Sequence, residues 1–179
     1  MKKLLIVALA VCMLLSLAAC GASTGSNGVA GDNNNVAGDT TPSTPAEDGF
    51  TFEYKGTKIA FHAPAADIVA ALGEPVKYTE STSCAFEGLD KSYYYGSFYL
   101  ETYPKGEEDF VYGWWFADDS VTTEEGIYIG ATQAEVEKAY GTDGYNGTNA
   151  YVISKAAGSL TIILEDGLVS SIQYAIKVD

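Results

Sequence analysis

The sequence predicts an α+β domain made of two tandem repeats, each a strand, a short helix and an antiparallel β-meander, with the helices on one face of the sheet. Residues 58–75 and 126–143 carry the same apolar pattern, offset by 68 positions. Each of these segments is followed by β-branched and aromatic stretches separated by turn residues, which favours strands that pair antiparallel through hairpins.

The first repeat opens with a predicted strand and helix. Ile59 and Phe61 alternate as they would on a strand. Pro64 suits the first position of a helix, Ile68 belongs to the apolar stripe of that helix, and Gly73 ends it.

The second repeat follows the same design. Ile127 and Ile129 alternate and predict a strand. Thr132 and Glu135 have the spacing of a capping box, so they predict the start of a helix that Gly141 ends.

Six further strands are predicted from runs of aromatic and β-branched residues. They cover residues 83–87, 93–102 and 110–116 in the first half and residues 150–154, 159–164 and 169–176 in the second. Turns are predicted at residues 104–106 (Pro-Lys-Gly) and 165–167 (Glu-Asp-Gly).

Residues 1–19 predict an export signal, because Lys2 and Lys3 precede an apolar run. That run has 16 residues, fewer than the roughly 20 that a membrane-spanning helix needs. Residues 17–20 (LAAC) resemble the lipobox of bacterial lipoproteins. The resemblance implies cleavage before Cys20, lipidation of its thiol with acyl chains such as palmitate, and anchoring at the extracytoplasmic face of the cell membrane.

Residues 20–48 predict a flexible linker, and residues 49–179 predict the folded domain. The linker consists mostly of Gly, Ser, Asn, Thr, Pro and Asp and contains too few apolar residues to fold. After removal of residues 1–19 the chain carries 24 acidic residues against 8 lysines, a formal charge of −16, and it has no arginine. Nucleic acid is therefore excluded as a partner, because its binding requires clustered basic residues.

No cofactor, metal site or catalytic residue is predicted. His62 is the single histidine and Cys84 is the single thiol of the domain, so zinc sites with several Cys or His ligands are excluded. The apolar context of Cys84 predicts a buried structural thiol, and His62 beside Phe61 also suggests a structural role.

Aromatic residues are concentrated between residues 93 and 116, which contain 11 of the 22 in the chain. If residues 93–103 formed one strand, its rings would lie on both faces of the sheet, and two helices of the same domain could cover only one face. We therefore expect an exposed partner-binding surface. Its predicted residues are Tyr93, Tyr95, Tyr99, Tyr103, Tyr112, Trp114 and Trp115.

Residues 130–141, with Gly130, Thr132, Val136 and Gly141, resemble the helix motif of the SmpA/BamE-type envelope lipoproteins. The doubled arrangement over residues 57–176 resembles the β-lactamase inhibitory protein fold. The resemblance implies that fold and a binding role, although the inhibitory proteins carry disulfides that a domain with one cysteine cannot form. Residues 83–95 are also similar to a segment of uncharacterised lipoproteins of anaerobic Gram-positive bacteria.

The leading functional hypothesis is a noncatalytic, membrane-anchored binding or inhibitory module for a protein, peptide or glycan partner. The alternative is a structural lipoprotein that assists assembly or maintenance of the cell envelope. An extracytoplasmic enzyme that uses His62 with carboxylates ranks last.

Overall fold

The computed structural model describes residues 49–178, so the predicted signal peptide, the lipidated Cys20 and the linker lie outside the described residues. Over this range the chain forms nine strands and two helices. In chain order they are β1 (Thr51–Tyr54), β2 (Thr57–Ala60), α1 (Ala65–Leu72), β3 (Lys77–Thr82), β4 (Leu89–Tyr94), β5 (Phe98–Lys105), β6 (Glu108–Phe116), α2 (Gln133–Tyr140), β7 (Ala150–Lys155), β8 (Gly158–Glu165) and β9 (Leu168–Ile176).

Seven of these strands form one antiparallel sheet in the order β3-β4-β5-β6-β9-β8-β7, and β1 pairs with β2 in a separate hairpin. Strands β6 and β9 pair only where Gly113 to Trp115 lie beside Ala175 to Gln173. The start of β6 instead pairs with the chain after β2, since the Val111 carbonyl accepts from the His62 N–H at 3.0 Å.

One face of this sheet is covered mainly by the β1–β2 hairpin, and we call it the covered face. Phe52 stacks on Trp114 with ring centroids 6.3 Å apart, and Phe61 lies 5.0 Å from the same indole. The helices add Ile68 from α1 and Val136 from α2 to this buried core. Only two residues of α1 and one of α2 are buried, whereas the hairpin and the residue that follows it bring large aromatic rings onto Trp114.

The predicted α+β class is therefore wrong, because the described residues are mostly β. Each helix has only eight residues, which is about two turns, and such a helix presents a short apolar stripe. A sheet of seven strands is too wide for two such stripes, and the helices are minor parts of its cover.

The two halves also differ in their elements, unlike the two equal repeats that were predicted. Ile127 and Ile129 form no strand. The Ile127 N–H instead bonds the Thr123 side chain at 3.1 Å, and the Gly126 N–H bonds the Thr123 carbonyl at 2.9 Å. Because the N–H groups of Gly126 and Ile127 are hydrogen-bonded within this tight turn, they are not available to pair with a neighbouring strand.

The strand predicted at residues 83–87 is a turn. The Ser83 N–H bonds the Gly88 carbonyl at 3.0 Å, and the Ser83 hydroxyl accepts from the Phe86 N–H at 3.1 Å. Such local hydrogen bonds from a serine side chain compete with sheet pairing. Cys84 lies in this turn and is exposed, so the predicted burial of its thiol is wrong.

The single strand predicted at residues 93–102 is two strands. The chain reverses at residues 95–97, where the Tyr95 N–H bonds the Phe98 carbonyl at 2.9 Å and Gly96 has a φ of 91°. A positive φ is easily adopted by glycine and allows the tight reversal. Tyr94 and Tyr99 therefore become cross-strand partners.

The predicted ends of both helices at Gly73 and Gly141 and the predicted start of α2 at Thr132 are confirmed. The sequence predicts Pro64 at the first position of α1, but it is the N-cap, one residue before the helix. The capping box is formed, since Thr132 accepts from the Glu135 N–H and Glu135 accepts from the Thr132 N–H at 2.7 Å. Within residues 49–178, neither helix has the length and apolar character needed to cross a membrane.

Candidate functional site

The face of the sheet opposite the hairpin carries a row of three stacked rings. Tyr94 on β4, Tyr99 on β5 and Trp115 on β6 are successive cross-strand partners, so they share a face. The Tyr94 and Tyr99 centroids are 4.4 Å apart, and those of Tyr99 and Trp115 are 4.6 Å apart. We call Tyr94, Tyr99 and Trp115 the aromatic row.

The aromatic row lies outside the buried core. All three rings are partly exposed, whereas their chain neighbours Trp114 and Leu100 are fully buried. This contrast follows from the alternation of side chains along a strand. We call the side of the sheet that bears the aromatic row the outer face.

Acidic and polar groups lie beside the aromatic row on the outer face. Glu101 follows Tyr99 by two residues, and Ser92 is its cross-strand partner on β4. The Ser92 hydroxyl donates to Glu101 Oε1 at 2.6 Å. Asp90 precedes Ser92 by two residues, which places a second carboxyl on the same face.

A cavity of about 250 Å³ opens between these groups, and we call it the outer cavity. Its lining includes Asp90, Glu101, Tyr112, Trp115 and Gln173. A β-bulge forms this region, because the register between β5 and β6 shifts after Glu101 and leaves Tyr112 without a partner on β5. Bulges bend a strand locally and redirect side chains, which gives the sheet a concavity here.

The outer cavity is lined by the two acidic residues Asp90 and Glu101 and by no basic residue. Burial raises the pKa of Glu101 to about 7, and the nearby Asp90 carboxyl adds to the rise, while the Ser92 hydrogen bond opposes it. Among residues 49–178, one ion pair is formed, between Lys91 and Asp109 at 2.6 Å. Within that range Glu101 therefore has a neutral hydroxyl as its partner and no cation.

Three of the predicted partner-binding residues are buried, so the expectation that they belong to an exposed surface is wrong. Tyr95 is 9% exposed, Tyr103 is 6% exposed and Trp114 is 0% exposed. Trp114 belongs to the covered face, and Tyr95 lies in the turn between β4 and β5, where its ring stacks on Phe98 at 5.4 Å. The turn interrupts the alternation on which the prediction depended.

The other four predicted residues divide between the two faces. Tyr99 and Trp115 belong to the aromatic row, and Tyr112 lines the outer cavity. Tyr93 is the cross-strand partner of the buried Leu100, so it lies on the covered face, and it lines a separate cavity together with residues of α1. The structure thus brings together three of the seven predicted residues.

Sequence reasoning missed Tyr94, Asp90, Ser92 and Glu101. Gly96 was the available signal, because a glycine between two aromatic runs is typical of a hairpin turn. A turn there would have paired Tyr94 with Tyr99 and brought Ser92 beside Glu101.

His62 lies apart from the aromatic row. Its Nδ1 is 2.9 Å from the Tyr103 hydroxyl, and its ring is partly buried. Burial, and then the charge of Lys105, lowers the pKa of His62, which favours the neutral imidazole at pH 7. In the described part of the chain, no three His, Cys, Asp or Glu side chains gather closely enough to hold a metal ion.

Comparisons with models of protein families, with curated proteins and with solved structures yield no match for this chain. The resemblance to the SmpA/BamE-type lipoproteins and to the β-lactamase inhibitory protein therefore stays a prediction.

Proposed function

We propose that this chain is a noncatalytic binding module, anchored by a lipid on Cys20 at the extracytoplasmic face of the cell membrane, that holds its partner on the outer face of the sheet. The observation that carries the proposal is the aromatic row, in which three stacked rings stay partly exposed. The sequence of residues 1–48 supports the anchor and a tether that gives the domain reach.

The stacking within the aromatic row favours recognition. Each ring is held by its neighbour across the strands, so few rotamers are lost when a partner covers it. Tyrosine and tryptophan combine a large apolar surface with a polar edge, and both are enriched in protein interfaces. The hydroxyls of Tyr94 and Tyr99 and the indole N–H of Trp115 supply those polar edges.

A capture experiment tests the proposal. The full chain, purified in detergent, is incubated with envelope extract from the bacterium that produces it, and retained proteins and glycans are quantified. We expect the Tyr99→Ala/Trp115→Ala variant to recover its main partner at least tenfold less well than the wild type.

The matched control is Val76→Ala/Tyr78→Ala, which removes exposed apolar groups at the β3 edge, where Val76 is 74% and Tyr78 is 45% exposed. This control is expected to recover the partner normally. If a folded Tyr99→Ala/Trp115→Ala variant recovers every partner as well as the wild type does, the proposed function is wrong.

A further inference from the structure

We propose that the outer cavity receives a basic side chain, the ammonium of a lysine or the guanidinium of an arginine, from a partner polypeptide. The inference rests on the proposed function and gives the partner a chemical character. It is carried by the charge and the aromatic lining of the outer cavity.

The carboxyl groups of Asp90 and Glu101 line the outer cavity from neighbouring strands. None of the residues that line it is basic, and β9 contributes the neutral Gln173. A partly buried carboxylate is screened less by solvent and salt than one on the open surface. The raised pKa of Glu101 agrees with a carboxyl that lacks a positive neighbour.

The aromatic lining favours the same ligand. The face of a tryptophan or tyrosine ring attracts ammonium and guanidinium groups, and the attraction is stronger where water is excluded. Trp115 and Tyr112 both line the outer cavity, next to the two carboxyls. An anion would be repelled by the Asp90 carboxylate and, above about pH 7, by Glu101 as well, and a neutral sugar would leave these carboxylates without a counterion.

The size and the surroundings of the outer cavity favour a side chain over a free ligand. Its volume of about 250 Å³ is below the roughly 300 Å³ at which pockets for drug-sized ligands begin. The aromatic row continues from Trp115 through Tyr99 to Tyr94, so residues that flank the basic one have a surface to contact. The formal charge of −16 on the chain after removal of residues 1–19 adds long-range attraction for a basic segment.

Titration with blocked peptides tests the inference. The full chain in detergent is titrated with acetylated and amidated pentapeptides Ala-Ala-X-Ala-Ala, in which X is Lys, Arg, Gln or Glu. Binding is followed by calorimetry and by the NMR signal of the Trp115 indole N–H. We expect the Lys and Arg peptides to bind at least tenfold more tightly than the Gln peptide and the Glu peptide to bind more weakly still.

A second arm uses butylamine, which carries the ammonium without a peptide backbone. We expect it to bind at least tenfold more weakly than the Lys peptide. Equal affinity would overturn the assignment to a polypeptide.

The titrations are made at pH 8.5, above the pKa of Glu101, so that the variant Asp90→Asn/Glu101→Gln removes two negative charges and keeps the shapes of the side chains. We expect at least a tenfold loss of affinity for the Lys and Arg peptides. The control Glu165→Gln/Asp166→Asn makes the same charge change in the exposed β8–β9 turn, and we expect it to bind like the wild type. Unchanged affinity of the first variant, or equal affinity of the Lys and Gln peptides, would overturn the inference.

The failure of this inference is distinguishable from that of the proposed function. If no basic peptide binds while Tyr99→Ala/Trp115→Ala still loses its envelope partner, only the inference that the outer cavity binds a basic side chain is refuted. If basic peptides bind as expected while that variant recovers its partner normally, the proposed function is refuted.

Discussion

The substitution Glu101→Gln should stabilise the domain at alkaline pH. Because burial and Asp90 raise the pKa of Glu101 from 4.5 to about 7, the folded state keeps this proton longer than the unfolded state does. The contribution of Glu101 to the free energy of unfolding of the wild type therefore falls as the pH rises from about 4.5 through 7, because the folded state still holds a proton that the unfolded state has released. The glutamine of Glu101→Gln carries no such proton, so the variant does not undergo this loss.

The size of the effect follows from the pKa. At about 1.36 kcal/mol per pH unit, a rise from 4.5 to about 7 corresponds to about 3.4 kcal/mol. Since Glu101 is only partly buried, solvent screening reduces this value, and we expect about 1 to 2 kcal/mol. Glutamine has the same shape and can still accept the Ser92 hydrogen bond.

Urea denaturation followed by circular dichroism, repeated between pH 4.5 and 8.5, measures this difference. The free energy of unfolding of Glu101→Gln should exceed that of the wild type by an amount that grows with pH. The titration of His62 occurs in both proteins and cancels in the difference. Glu165→Gln, an exposed site, should show no such growth. A difference for Glu101→Gln that stays constant across this pH range would refute the reasoning.

Four further outcomes are expected. Trp114→Ala, in the core, should lower the free energy of unfolding by about 3 to 5 kcal/mol, and Trp115→Ala by less than half of that, both measured by urea denaturation. Gly113→Ala should lower the melting temperature strongly, because a Cβ there would overlap the Tyr174 carbonyl oxygen. Thr132→Ala should cost about 1 kcal/mol in thermal denaturation, because it removes the cap of α2. Cys20→Ser should release the chain from the membrane fraction, as shown by ultracentrifugation and immunoblotting.

Local signals predicted the helices well. Thr132 with Glu135, and Gly141 eight residues after Gln133, mark both ends of α2, because capping depends on residues close together in the chain. The fold class could not be predicted in the same way. Phe52 of the hairpin and Phe61, just after it, cover Trp114 from positions more than 50 residues away, and no local pattern shows which element will fill that layer.

By itself the sequence determined both ends of α2, the C-terminal end of α1, the acidic charge and the concentration of rings between residues 93 and 116. Only the tertiary structure decided which rings are buried and which form the aromatic row. Alternation along a strand separates its residues into two sets, but it does not say which set faces the core. The reversal at Gly96 and the pairing of Tyr99 with Trp115 place the three rings on one face, and a phenylalanine of the β1–β2 hairpin packs on the other face, against Trp114.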